Sequence, residues 1–280
     1  MARVSIVTDS SCDLPQSLCD QYGIAVVPLT IRFGDDEVVD REGLTPAQFW
    51  ERAKASAVLP QTAAPAPGTF EAKFRAAAAA GAEGVVCVNL SSKLSATSQS
   101  AETAAKAVAD VVPVRVVDSQ SVTMGLGMIV LAAARAAEAG GGLDDVVAAA
   151  EDARGRTRVF GTLDTLENLK KGGRIGAAQA LLGSLLSIKP VIVVEDGKVE
   201  PGPKQRTRSR AMKYLVERVT SETGAIERLA VMNGAAADIN AFIDLLAPHF
   251  PRDQIVVADL GPVVGAHAGI GTIGVAYLVR

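Results

Sequence analysis

Aromatic residues are scarce in this chain: seven Phe, three Tyr and one Trp make 4% of 280 residues. The core must therefore be built from Ala, Val, Leu and Ile, and few flat faces are available to stack on bases or sugars. Cysteine is nearly as rare. Cys12, Cys19 and Cys87 are odd in number and form no CxxC pair, which argues against a disulfide framework or a zinc site. Two histidines, His249 and His267, are too few for a His-rich metal centre. A dominant charge is missing too: 28 Lys and Arg against 31 Asp and Glu leave −3, so nucleic acid meets no global basic footprint. No apolar run approaches the roughly 18–20 residues needed to cross a bilayer. The β-like opening run Met1–Val7 lacks the long apolar core of a signal peptide. The expectation is a cytoplasmic protein.

The common nucleotide and hydrolase signatures are also missing. Gly269-Ile270-Gly271-Thr272-Ile273-Gly274 spells GxGxxG, but a dinucleotide site needs a helix after the glycines, and the six residues that follow read as strand. Gly125-Leu126-Gly127 has Val130 where the third glycine belongs. No GxxxxGK[ST] occurs, since Gly197-Lys198 continues to Val199, so no ATP cradle is expected. There is no GxSxG elbow. Carboxylate pairs for glycosidase chemistry cannot be placed from spacing.

What is present is an ordinary globular composition, 49% hydrophobic and 21% charged, long enough for two domains. Strand-like runs alternate with helix-like runs, which reads as α/β. Val4–Thr8, Ile24–Ile31, Val85–Asn89 and Val114–Val117 read as strands. Asp13 is expected to cap a helix with Gln16 at the capping-box position and Gly23 ending it; Thr45-Pro46-Ala47-Gln48 repeats the box, and Gly68 with Glu71 opens a third helix. The character shifts near Gly155. There follow a glycine cluster (Gly172, Gly173, Gly176), a strand Ile188–Val194 and a hairpin turn at Glu195-Asp196-Gly197-Lys198. A basic helix comes next, then strands Arg228–Met232 and Gln254–Leu260 around a helix Ala236–Leu246, and a closing strand Gly274–Val279. The boundary is placed at 156, giving α/β domains 1–156, with a mostly parallel sheet, and 157–280, with a mixed or antiparallel one.

Hydroxyls cluster where strands end, the ligand-binding side of parallel sheets. Thr8-Asp9-Ser10-Ser11, Ser91-Ser92-Lys93-Leu94-Ser95 and Asp118-Ser119 follow strand runs directly. Ser10, Ser91, Ser92 and Asp118 read as caps or turn formers, and Ser95 as either a cap or a ligand contact. Thr62 lies in Pro60-Gln61-Thr62-Ala63-Ala64-Pro65-Ala66-Pro67, where the prolines favour an extended, stiff backbone that holds one hydroxyl still. His249 reads as an exposed loop residue. His267, in a glycine-dense stretch, reads either as a donor to an anionic group or as a histidine bonded to a nearby carbonyl.

Five stretches together resemble the DegV family of bacterial fatty-acid-binding proteins: Thr8–Pro15, the Thr62 proline loop, Leu90–Ser95, Leu166–Ile175 and Gly261–Gly271. The resemblance runs the length of the chain. It implies a tunnel between two α/β domains holding a long-chain fatty acid such as palmitate, with Thr62, Ser95 and His267 around the carboxylate. It also implies no cofactor and no ATP site. The protein would present the acid to a separate kinase subunit that makes acyl phosphate, with Arg174, Arg206 and Arg208 where that partner meets the family. Ala63, Ala66 and Ala96 depart from the family pattern of Ser, Ser and Gly. Two other readings are carried: a self-sufficient phosphotransferase or lipid hydrolase using Ser95 and His267, and a carrier of a different amphiphile.

Overall fold

The computed structural model describes residues 3–182 and 188–280. Met1 and Ala2 of the opening run lie outside the described residues, and so does 183–187. In chain order the first part comprises β1 (Val4–Asp9), α1 (Gln16–Tyr22), β2 (Ala25–Val27), β3 (Thr30–Phe33), β4 (Asp36–Val39), α2 (Pro46–Ala55) and β5 (Gln61–Ala63). It continues with α3 (Pro67–Ala79), β6 (Gly84–Asn89), α4 (Thr97–Ala107), β7 (Val114–Asp118), α5 (Thr123–Glu138) and α6 (Leu143–Arg156). The second part comprises β8 (Thr157–Thr162), α7 (Glu167–Lys171), β9 (Val191–Glu195), β10 (Lys198–Pro201), α8 (Arg208–Thr220) and β11 (Ile226–Gly234). It ends with α9 (Ile239–Leu246), β12 (Ile255–Asp259), α10 (Pro262–Ala268) and β13 (Thr272–Val279).

The architecture is α/β, as the alternation of runs indicates. Among the described residues the first sheet has order β2-β1-β6-β7 and is parallel throughout. Its central strand β6 is buried at every position, as expected where both faces are covered. The second sheet, order β10-β9-β8-β13-β11-β12, is antiparallel except for the β11–β12 pair. The β9–β10 turn has Asp196 at φ 46 and Gly197 at φ 75, which matches the hairpin twist that an Asp-Gly pair supplies. The Gly269–Gly274 run joins a helix to an antiparallel strand, the reverse of the order a dinucleotide cradle needs.

Three local readings differ from the structure. Ile24–Ile31 is not one strand. Pro28 has no N–H for the ladder, and the chain leaves the first sheet after Val27 to begin a small antiparallel sheet, order β4-β3-β5. Asp13 does not cap α1, whose N-cap is Pro15. Asp13 takes φ 49, and its buried carboxylate accepts from Thr123 Oγ1 at 2.6 Å and Gly261 N at 3.0 Å. The third helix begins at Pro67 after an Ala66 N-cap, without a side-chain cap. The Thr45 capping box, with Pro46 at the first helical position, forms as read.

One helix binds the two large sheets together. α5 is buried along most of its length and touches β1 and β6 of the first sheet and β8, β11 and β13 of the second. Its glycines permit the close approach. A Cβ at Gly127 would lie 2.8 Å from Cys12 O, and one at Gly125 would strike Ser121 and Val159. One apolar core therefore runs from Val4 and Val86 through Leu126 and Ile129 to Val159, Ala230 and Ala276.

Candidate functional site

Thr62 sits in β5, where it pairs with Ile31 of β3. The small sheet fixes it by ladder hydrogen bonds, in addition to the stiffness that the neighbouring prolines impose. His267 occupies the last turn of α10, and its Nε2 lies 2.9 Å from Thr62 Oγ1. The two residues are 205 positions apart in the chain. The other ring nitrogen, Nδ1, is buried with no partner. Gly172 forms the floor beneath the ring: a Cβ there would lie 2.9 Å from Cε1 and closer still to Nδ1. Burial, then the nearby Arg174 charge, lower the His267 pKa to about 4, so the imidazole is neutral at pH 7.

Ser95 stands in the turn between β6 and α4. Backbone bonds from Leu94 N and Ser95 N to Ser91 O tighten that turn. Ser91 Oγ donates to Gly197 O at 2.6 Å, tying the turn to the β9–β10 hairpin of the second sheet. Ser95 Oγ bonds Thr97 Oγ1 at 2.9 Å, while the N-cap of α4 is Ala96. Ser95 therefore does not cap a backbone N–H. The hydrogen bonds of Ser95 and His267 run to Thr97 and Thr62, not to each other, so the pair a Ser–His nucleophile needs is not formed.

Thr62, Ser95 and His267 line one cavity, with Leu29, Val122 and Leu169 among its apolar walls. The empty space inside it, open solvent at its mouth included, is about 680 Å³. The walls come from both large sheets: Leu90 and Leu94 follow β6 of the first, and Ile192 and Val194 lie in β9 of the second. Thr62, Arg174 and His267 also line a second, polar space opening between Ala57–Gln61 and Lys171–Gly172. The three residues thus mark the junction of an apolar cavity and a charged mouth.

Arg174 is exposed and spans that mouth. Its Nε donates to Leu94 O at 3.1 Å and its Nη1 to Gly172 O at 2.7 Å. Arg206 is exposed on the segment before α8. Arg208 is committed elsewhere: its Nε and Nη2 each lie 2.9 Å from an Asp238 oxygen. His249 is exposed.

The sequence reading did not find Gly172 as the seat of His267, nor Asn168, whose Nδ2 donates to Ala266 O at 3.1 Å and holds α7 against α10. The signal for Gly172 was the glycine pair itself, since two glycines at a helix end leave room for a neighbour to press close. Ser10 also does something other than form a turn: its hydroxyl accepts from Leu29 N at 3.0 Å and pins the start of the small sheet. No helix among the described residues is long and apolar enough to cross a membrane. No group of three or more metal-ligating side chains is found among them either.

Residues 3–280 match the model of the DegV family of uncharacterised proteins. A DegV domain-containing protein of Streptomyces coelicolor is 41% identical, covering 99% of each chain. A solved DegV family protein of Thermus thermophilus, described by its fatty acid binding, superposes with a TM-score of 0.90 at 34% identity over all of both chains. DegV of Bacillus subtilis, described as a fatty acid binding protein, gives 0.89 at 27% identity, also over all of both chains. With the whole length matched by the family model and by relatives of this similarity, the chain belongs to the DegV family.

Proposed function

We propose that this chain binds a long-chain fatty acid with its tail in the apolar cavity and its carboxylate at Thr62, Ser95 and His267. The observation that carries the reading is the Thr62–His267 pair, held at the point where an apolar cavity meets a polar mouth. The Thermus and Bacillus relatives described as fatty-acid-binding support it. The lobes 1–156 and 157–280 flank the ligand in this reading, and the protein works in the cytoplasm.

A tail of about 15 methylenes, at ~0.8 kcal/mol each, offers about 12 kcal/mol of gross transfer free energy, which tail ordering and association reduce. The tail supplies affinity; the hydroxyls decide which end faces out. A carboxylate buried without partners costs several kcal/mol, and charge-assisted hydrogen bonds from two hydroxyls offset much of that. His267 directs one of them. A proton on Nε2 is donated to Thr62 Oγ1 and leaves Nδ1 as a bare lone pair, the less costly orphan beside an unmade N–H. The Thr62 hydrogen is then left to point at the acid.

The acid is presented to a separate kinase subunit that phosphorylates it with its own ATP. The partner approaches the mouth, where Lys171 and Arg174 place positive charge beside the carboxylate. Arg206 belongs to the same partner surface in this reading; Arg208, paired with Asp238, has its guanidinium already engaged.

Native mass spectrometry of the protein as expressed tests the ligand: a copurified long-chain fatty acid is expected, and a different amphiphile would replace this reading. Thr62→Ala and Ser95→Ala are expected to weaken binding of the acid more than binding of its methyl ester. Equal losses would mean that the hydroxyls do not hold the carboxylate.

A further inference from the structure

The apolar space continues beyond the cavity behind Thr62. A second apolar cavity shares Val122, Ile192, Val194, Val264 and Ala268 with the first and reaches Val159, Phe160 and Gly161 of β8. On the far side lies a polar crevice holding Ser119, Ser121, Arg154, Arg158, Tyr214 and Arg218. Val159, Phe160 and Val194 line both the second cavity and this crevice. The β8–β9 ladder ends there, with Val159 opposite Val194. Alternation along β8 turns Val159 toward α5 and Phe160 and Arg158 toward the α8 side, so the apolar track meets the crevice round the open end of the β8–β9 ladder.

The crevice is rich in cations, and they are unequally engaged. Arg218 pairs with Glu222 at 3.0 Å and lies over the Phe160 ring, 5.3 Å from its centre. Arg154 donates to Asp118 O at 3.1 Å and lies 3.8 Å from Glu151. Arg158 donates only to the carbonyls of Gly155 and Thr157, at 2.9 and 3.1 Å, and forms no ion pair among the described residues. Glu195 and Asp196 also line the crevice, so an anion there is held by Arg158 against two carboxylates.

We propose that the tunnel accepts long-chain α,ω-dicarboxylic acids, with one carboxylate at Thr62 and the other reaching Arg158 past Val159 and Val194. The proposal rests on the fatty-acid reading above. A terminal carboxylate stranded in the second cavity meets only apolar walls and costs several kcal/mol. A chain long enough to pass Val159 and Val194 places the same group beside a guanidinium, whose fork suits a carboxylate. Chain length therefore switches a diacid from disfavoured to favoured, while a monoacid shows no such switch.

The test is calorimetric titration with monoacids and α,ω-diacids of matched, increasing length against the wild type, Arg158→Ala and Arg158→Glu. Monoacids are expected to bind all three proteins alike. Diacids should bind the wild type poorly when short and match or exceed the monoacid at a particular length. Arg158→Ala should weaken that diacid by about tenfold. Arg158→Glu should lose it and gain the ω-amino acid of the same length. Monoacid binding with diacids weaker at every length, or a diacid affinity unmoved by Arg158→Ala, overturns the proposal and leaves the fatty-acid reading intact. Failure of the monoacids themselves to bind overturns both.

Discussion

Replacing Gly172 by Ala tests whether the position of His267 governs carboxylate binding. Gly172 ends α7 at φ −75 and ψ −8, a conformation that alanine adopts without strain. The perturbation is therefore confined to the new methyl group, which would sit 2.9 Å from His267 Cε1, closer to Nδ1, and 3.0 Å from Asn168 O. Favourable carbon contacts begin near ~3.5 Å, so the ring must retreat by more than about half an ångström. A shift of that size spoils the 2.9 Å hydrogen bond to Thr62 and leaves the Thr62 hydroxyl without its orienting donor. Losing one oriented hydrogen bond to a charged group costs about 2 kcal/mol, or roughly thirtyfold in Kd. Titration with a long-chain acid and its methyl ester at pH 7 should show the acid weakened by that factor and the ester little changed. Melting of the ligand-free protein should fall modestly, because crowding the buried ring costs about 1–3 kcal/mol against the ~0.4–1 kcal/mol gained by restricting the unfolded chain; the acid–ester difference separates that loss from carboxylate binding. Unchanged acid affinity, or equal losses for acid and ester, would refute the assignment of His267 as the residue that positions Thr62.

Arg174→Ala should lower acyl phosphate formation with the kinase partner while fatty acid affinity changes by less than about threefold, a shift under ~1 kcal/mol; full turnover in a coupled assay would remove Arg174 from the partner surface. Asp13 gives a pH prediction. Burial, opposed by the Thr123 and Gly261 hydrogen bonds and by Arg41, raises its pKa from an ordinary 3.8 to about 7. The folded state thus holds a proton that the unfolded state releases, so its contribution is present below about pH 4 and is lost as pH rises toward about 7. His267, lowered from 6.5 to about 4, has the opposite sign and gains stability as pH rises between those values. Comparing urea midpoints of the wild type and Asp13→Asn isolates the Asp13 slope, which is at most about 1.4 kcal/mol per pH unit; parallel profiles would contradict it.

The first sheet is legible in the sequence because parallel strands covered on both faces appear as unbroken apolar runs, as at Val85–Val88. The small sheet is not, because Ile24–Ile31 carries one apolar pattern across two sheets and the break at Pro28 only removes a donor. Asp13 obeys the local capping pattern, but its left-handed backbone turns the carboxylate toward α5 and α10, and a φ angle leaves no mark in a capping motif. The site is legible in parts. Prolines around Thr62 and the hydroxyl run ending at Ser95 single out those residues by local chemistry. The meeting of Thr62 with His267 is a tertiary contact across most of the chain, and only the family resemblance anticipates it. The cavity walls, from Leu29 to Ala268, are ordinary aliphatics that no local pattern separates from core.

The helix shared by both large sheets has a consequence for how such a protein can be rebuilt or inherited. Residues 123–138 belong by sequence to the first half, yet they present Gly125 to Val159 and touch three strands of the second. A chimera joining the front of this chain to the back of a cousin would bring together two surfaces that had never been fitted to one another. Successful recombinants must exchange that helix along with the strands on either side of it, so the smallest transferable block is larger than either half.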